Sequence, residues 1–161
     1  MMGAGKSTMG RALAAKSGRE FLDTDQLLQS RFGRPVSEIF RIYGEAAFRD
    51  HETSILKTLQ PGATVLATGG GIVIREANWV EMRRLGTTLF LDVDPHKLKQ
   101  RLQRSKKKRP LLATEDWEER FELLMIQRRE LYEQADLTVQ VGEEEADEVS
   151  DRLLSVLEAG P

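Results

Sequence analysis

Six residues near the start of the chain, Gly3-Ala4-Gly5-Lys6-Ser7-Thr8, constrain the fold more tightly than anything that follows. They form the second half of the pattern G-x-x-x-x-G-K-[ST], which joins a strand to a helix. The glycines let successive backbone N–H groups turn inward around phosphate oxygens. Lys6 supplies a positive charge to the β- and γ-phosphates, Ser7 offers a hydroxyl to Mg²⁺, and the next helix points its N-terminal dipole at the same anion. The competing reading is a chance glycine-rich helix start, which seldom yields this run of six. The first glycine of the full pattern would stand one residue before Met1, and the strand that should feed the loop has no counterpart. The chain is therefore expected to be truncated at its N-terminus, unstable and weakly active.

Beyond the loop, helical segments alternate with short apolar runs, which predicts an α/β domain around a mostly parallel sheet. Helices are expected over Ser7–Lys16, Thr24–Phe32, Pro35–Tyr43, Glu45–Leu59, Ala77–Leu85, Pro95–Arg104, Trp117–Tyr132 and Ala146–Leu157. Strands are expected over Glu20–Asp23, Thr64–Thr68, Thr87–Val93 and Leu137–Val141. With 161 residues and no linker or repeat, the whole chain reads as one domain. Its 24 Lys and Arg against 26 Asp and Glu give no basic surface for a nucleic acid. The absence of cysteine excludes disulfides, thiol nucleophiles and Cys-ligated metals, and two histidines leave little for a multi-His site. No apolar run reaches membrane-spanning length and no signal-peptide pattern opens the chain, so the cytoplasm is the expected location.

Several constellations carry chemistry. Asp23-Thr24-Asp25 follows a strand, where two carboxylates can project into a cleft above the sheet. One could act on Mg²⁺ through water while the other takes a proton from an attacking hydroxyl; a plain helix cap is the alternative. Arg49 and Glu52 lie three apart, the spacing of a surface ion pair worth about a few tenths of a kcal/mol, which spacing alone favours. The other reading has Glu52 holding Arg49 so that its guanidinium forks onto a substrate carboxylate. Gly69-Gly70-Gly71 after a strand is costly in chain entropy and suits a backbone that a ligand approaches closely. Arg109 follows Lys106, Lys107 and Lys108 in an irregular basic stretch, about 105–116, that reads as a mobile lid delivering a cation. Of Arg128 and Arg129, one is expected to face the cleft and the other to face solvent.

Taken together, the residues resemble the shikimate kinase family. The likeness rests on Gly3 to Thr8, on Leu22-Asp23-Thr24-Asp25, and on Gly-Glu-x-x-Phe-Arg-x-x-Glu from Gly44 to Glu52. It continues through Gly69 to Gly71, Arg109-Pro110-Leu111-Leu112, and Arg128 four residues before Tyr132, so that it covers nearly the whole chain. The resemblance implies a three-layer P-loop fold of the nucleoside-monophosphate-kinase type, with strand order 2-3-1-4-5, the first and middle strand being the one missing. It implies substrate-binding helices over about 24–60.

It further implies transfer of the γ-phosphoryl group of MgATP to the 3-hydroxyl of shikimate, a step of aromatic amino-acid biosynthesis. Shikimate would be bound by Asp25, Arg49, Gly69, Gly70, Gly71 and Arg128, with both arginines on its carboxylate and Asp25 on its reacting hydroxyl. ATP would lie on Gly3, Ala4, Gly5, Lys6, Ser7 and Thr8, with Arg109 reaching its phosphates and Arg101 against adenine, Arg104 being a rival. Mg²⁺ would be held by Ser7 and Asp23, and Lys6, Asp25 and Arg109 would carry the chemistry. Such kinases often place a basic residue near adenine after the last strand, where this chain has Glu143, Glu144 and Glu145. Rival readings are another small-molecule kinase of the same fold, such as gluconate kinase, a nucleoside monophosphate kinase, or a non-catalytic nucleotide-binding protein. A monomer is the expected form.

Overall fold

The computed structural model describes residues 1–104, 112, 116–142 and 144–159. Within them the chain alternates helix and strand: α1 (Lys6–Ser17), β1 (Glu20–Asp23), α2 (Thr24–Phe32), α3 (Val36–Thr58), β2 (Thr64–Ala67), a 3₁₀ turn (Ile72–Ile74), α4 (Glu76–Leu85), β3 (Leu89–Val93), α5 (Pro95–Arg104), α6 (Trp117–Tyr132), β4 (Leu137–Val141) and α7 (Ala146–Ala159). The expected element types are all present, with ends shifted by a residue or two. The 3₁₀ turn was not foreseen. β3 begins at Leu89 rather than Thr87, because the backbone N–H and hydroxyl of Thr88 both donate to Asp136 at 2.7 Å, tying Thr88 to the turn before β4.

The strands pair in parallel, β1 with β2 and β3 with β4, in registers such as Phe21 opposite Val65 and Leu91 opposite Val139. These pairs are the 2-3 and 4-5 halves of the expected order. β2 and β3 belong to separate pairs, and between them lies a cavity of about 670 Å³ lined by Val65, Ala67, Leu89 and Leu91 of the strands and by Leu13 and Leu153 of α1 and α7. β3 is buried along four consecutive residues, as a parallel strand covered on both faces should be. β4 alternates instead, with Val139 and Val141 inward and Thr138 and Gln140 outward, the pattern of a strand with one wet face.

The main core gathers Met9 and Leu13 of α1, Phe90, Leu91 and Val93 of β3, Leu98 of α5, Phe121 of α6 and Val149 of α7. A smaller core of Leu28, Ile39, Phe48 and Ile55 holds α2 against α3, so the helical arm over the cleft has apolar packing of its own. Among the described residues no helix is long and apolar enough to cross a membrane. The lid stretch with Arg109 lies almost wholly outside the described residues.

α3 comprises two helical segments that meet at a kink. Gly44 breaks α3 with φ 78° and ψ 172°, so Pro35–Tyr43 and Glu45–Leu59 remain two helical segments, as the sequence predicts. That backbone region is essentially confined to glycine. A Cβ added at Gly44 would meet nothing within 4 Å, so any penalty there is one of backbone conformation alone. Gly44→Ala is expected to lower the unfolding free energy by about 1–3 kcal/mol, measured by denaturant titration; an unchanged midpoint would show that the break relaxes freely.

Candidate active site

The loop before α1 carries two glycines in the left-handed region, Gly3 (φ 77°) and Gly5 (φ 86°), and α1 starts directly at Lys6. Its N–H groups and its dipole therefore point into the space above the sheet. The Lys6 ammonium donates to the carbonyl of Met1. Ser7 Oγ donates to Asp23 Oδ2 at 2.6 Å, while Asp23 Oδ1 accepts from the N–H of Asp25 (2.9 Å) and of Gln26 (3.4 Å). The sequence posed helix cap and metal site as alternatives for Asp23; one oxygen does the first and the other stands beside the Ser7 hydroxyl. Mg²⁺ prefers hard oxygens, binding through one or two carboxylates together with substrate phosphates. The Ser7–Asp23 donor set fits a cation that arrives with a phosphate. Among the described residues no three His, Cys, Asp or Glu gather into a self-sufficient metal cage.

A cavity of about 380 Å³ connects this loop to Asp25, Arg49 and the glycine run. Gly3, Gly5, Lys6, Ser7, Thr8 and Asp23 line one part of it, and Asp25, Arg49, Glu52, Gly69, Gly70, Gly71 and Arg128 line the other. Ala4, between the two glycines of the loop, is fully buried. Arg101 also lines the cavity and donates to the carbonyl of Gly142 at 3.3 Å, whereas Arg104, three residues on, is exposed and does not reach it. Glu144 is tied down beside that carbonyl: Arg152 and the N–H of Gly142 hold its carboxyl down to about 2. Arg109 and Glu143 fall outside the described residues.

Arg49 and Glu52 are no surface pair. Their side chains are 7% and 1% exposed and meet at 2.6 Å, so the reading favoured by spacing alone is overturned. Helical periodicity shows which residues share a face but not which face is covered. Burial pushes the Glu52 carboxyl above its ordinary value, against the pull of Arg49. Burial also opposes the Arg49 charge, but Glu52 and Glu45 outweigh it and the guanidinium is held above its ordinary value. The three glycines acquire a sharper explanation here. A Cβ on Gly71 would stand 2.3 Å from Arg49 Nη1, and one on Gly69 would stand 2.9 Å from Glu52 and 3.0 Å from Asp25. Gly69 and Gly71 make room for charged side chains, Gly70 lies against the backbone of Met1 and Met2, and none of the three has positive φ. Thr24 Oγ1 accepts from the N–H of Gly69 at 3.0 Å, pinning the loop to the start of α2.

α6 closes the far side. Arg128 is buried and faces the cavity, and the Tyr132 hydroxyl one turn later donates to the carbonyl of Gly70 at 2.5 Å. Arg129 does not simply face water: it grips Asp92 with both amino groups, at 2.6 and 2.8 Å, while Gln140 donates to the same carboxylate at 2.7 Å. Sequence reasoning passed over Asp92, although an acid inside the apolar run Leu89-Phe90-Leu91-Asp92-Val93 was a visible signal.

Two outcomes follow from these contacts. Gly71→Ala is expected to drive the guanidinium off Glu52 and to lower stability by at least about 1–3 kcal/mol, the usual penalty of overpacking, in a denaturant titration. At Asp92 burial works against the charge, but the bonds from Arg129 and Gln140 win and hold its carboxyl below the ordinary value. Its contribution is thus fully present above about pH 4 and lost as the pH falls through the depressed value. Asp92→Asn should be less stable at neutral pH and show a shallower loss on acidification; parallel curves would exclude Asp92 from that response.

The chain matches the family model described as "Shikimate kinase" over residues 2–158. It is 42% identical over 158 residues to shikimate kinase of Parasynechococcus marenigrum, covering 98% of this chain and 82% of that one. A second relative, shikimate kinase of a Synechococcus strain, is 44% identical over 158 residues, with 98% and 80% covered. Among solved structures, shikimate kinase from Acinetobacter baumannii in complex with shikimate superposes with a TM-score of 0.93 at 36% identity, covering 98% of this chain and 89% of that one. The Aquifex aeolicus shikimate kinase gives 0.83 at 34% identity, with 99% and 93% covered. A phosphate loop opposite a buried pair of guanidiniums, in a chain so matched along its length, makes this protein a member of the shikimate kinase family.

Proposed function

We propose that the protein transfers the γ-phosphoryl group of ATP to the 3-hydroxyl of shikimate, releasing shikimate 3-phosphate and ADP. One observation carries this reading: a single cavity runs from the phosphate loop to Asp25 and two buried arginines, Arg49 and Arg128. Two guanidiniums fixed on one wall suit a small carboxylate, because planar forks match its oxygens. Asp25, on the same wall, is the acid offered to a hydroxyl. The Acinetobacter kinase, which is similar over nearly the whole chain, was solved with shikimate bound.

The work of this chain is positioning and charge. The loop N–H groups and Lys6 hold the phosphates at the N-terminus of α1. Arg49 and Arg128 take the carboxylate at the opposite end and so set the distance of the hydroxyl from the phosphorus. Asp25 orients that hydroxyl and receives its proton. Ser7 and Asp23 would hold Mg²⁺, which when bound supplies positive charge to the phosphate oxygens. Arg101, on the cavity wall, is the side chain assigned to adenine, and Arg109 brings a further cation to the transferred group. Because the transition state of phosphoryl transfer is loose, such pre-set electrostatics count for more than base strength.

The test is coupled ADP release with MgATP, using shikimate and gluconate as separate acceptors. Turnover with shikimate alone is expected. Turnover with gluconate, or with neither in a folded protein that still binds ATP, would overturn the acceptor and leave the phosphate loop standing. Arg109→Ala is expected to reduce kcat on the order of 10³-fold, by analogy with other arginines that neutralise a transferred phosphoryl group. An unchanged kcat would remove Arg109 from that role.

A further inference from the structure

Arg49 is the best-anchored cation of the acceptor wall, and its three nitrogens are unequal. Nη1 donates to Glu52 at 2.6 Å, Nη2 donates to Glu45 at 3.0 Å, and Nε is buried with no hydrogen-bond partner. A carboxylate can engage a guanidinium bidentately along two edges, Nη1 with Nη2 or Nε with Nη2. Both edges include Nη2, the nitrogen that Glu45 occupies.

The two carboxylates on Arg49 are also unequal. Glu52 is 1% exposed, so withdrawing it would leave a buried charge on either side of the contact. Glu45 is 49% exposed at its side chain and can turn into water, the situation of a weak surface pair. It stands directly after the break at Gly44, in the first turn of the second half of α3. A carboxylate there is favoured by the exposed N–H groups and dipole of the helix, so releasing Arg49 does not strand it. Charge balance points the same way. Asp25 and Glu52 balance Arg49 and Arg128 in the cavity lining, so a substrate carboxylate already leaves that group one charge negative, and Glu45 held on Arg49 would add a second unbalanced negative charge.

We infer that Glu45 is a displaceable internal ligand of Arg49, competing with the substrate carboxylate for Nη2 and so setting acceptor affinity, while Glu52 is the permanent anchor. This rests on the reading of Arg49 as the carboxylate site given above. Glu45 is thus a specificity-setting residue that acts through Arg49 and does not touch the reacting atoms. Acceptors without a carboxylate do not contest Nη2 and are unaffected by Glu45, so the contact narrows the margin by which acidic polyols are preferred over neutral ones.

The test compares wild type with Glu45→Gln by shikimate titration calorimetry and by steady-state kinetics at one ionic strength. With the competitor removed, Kd and KM for shikimate should fall about two- to fivefold, the range set by an exposed ion pair, with kcat and the KM for ATP nearly unchanged. The methyl ester of shikimate, which lacks the negative charge, should show no difference between the two proteins. A merely structural role would raise Kd and KM. Either that rise or an unchanged shikimate affinity overturns the proposal while leaving the acceptor reading intact. Absence of both heat and turnover with shikimate in the wild type would instead overturn the acceptor reading, and this inference with it.

Discussion

Glu52 and Arg49 meet at 2.6 Å in a place that neither could enter alone. A lone carboxylate withdrawn from water to that degree would take up a proton, and a lone guanidinium, which cannot shed its charge, would stay outside. The contact sets conditions on everything around it. Gly71 has to lack a side chain because the guanidinium fills the space one would need, and Gly69 has to lack one because Glu52 and Asp25 do. Thr24 then fixes the loop by its bond to the Gly69 N–H, and Asn78 and Trp79 brace the next turn through the carbonyls of Ile72 and Val73. A loop that reads as flexible is held at each step.

How much of this was legible in the sequence differs from element to element. β3 and α6 stood out, because a short, mostly apolar run and a long amphipathic period are local signals. The break at Gly44 was legible too, since glycine between two helical segments is a local mark. The status of Arg49 was not. Spacing puts it beside Glu52 but is silent on whether the smaller core of Leu28, Ile39, Phe48 and Ile55 carries that face inward. Nor could the Asp92–Arg129–Gln140 cluster be read off, because its members come from three elements and 48 positions separate Asp92 from Gln140. Contacts that cross from strand to helix leave no period in a sequence.

Asp23 shows how a small domain economises on side chains. One oxygen satisfies N–H groups at the start of α2 and the other meets the Ser7 hydroxyl, so the geometry of the helix and that of the phosphate loop are fixed through one carboxylate. The charge of the cleft is thereby built into the secondary structure itself, which keeps reorganisation small as charge shifts during group transfer.

α6 carries two neighbouring guanidiniums with opposite duties. Arg128 looks into the cavity shared with the phosphate loop, while Arg129 is clamped to the carboxylate at the end of β3. Consecutive residues on an α-helix are turned by about 100° from one another. One residue inserted or deleted earlier in α6 would rotate the wrong arginine toward each partner and carry Tyr132 off the carbonyl of Gly70 as well. Substitutions along the outer face of this helix can drift with little consequence, but its residue count between Trp117 and Tyr132 is locked. Length variation among homologous chains should therefore stop where α6 begins.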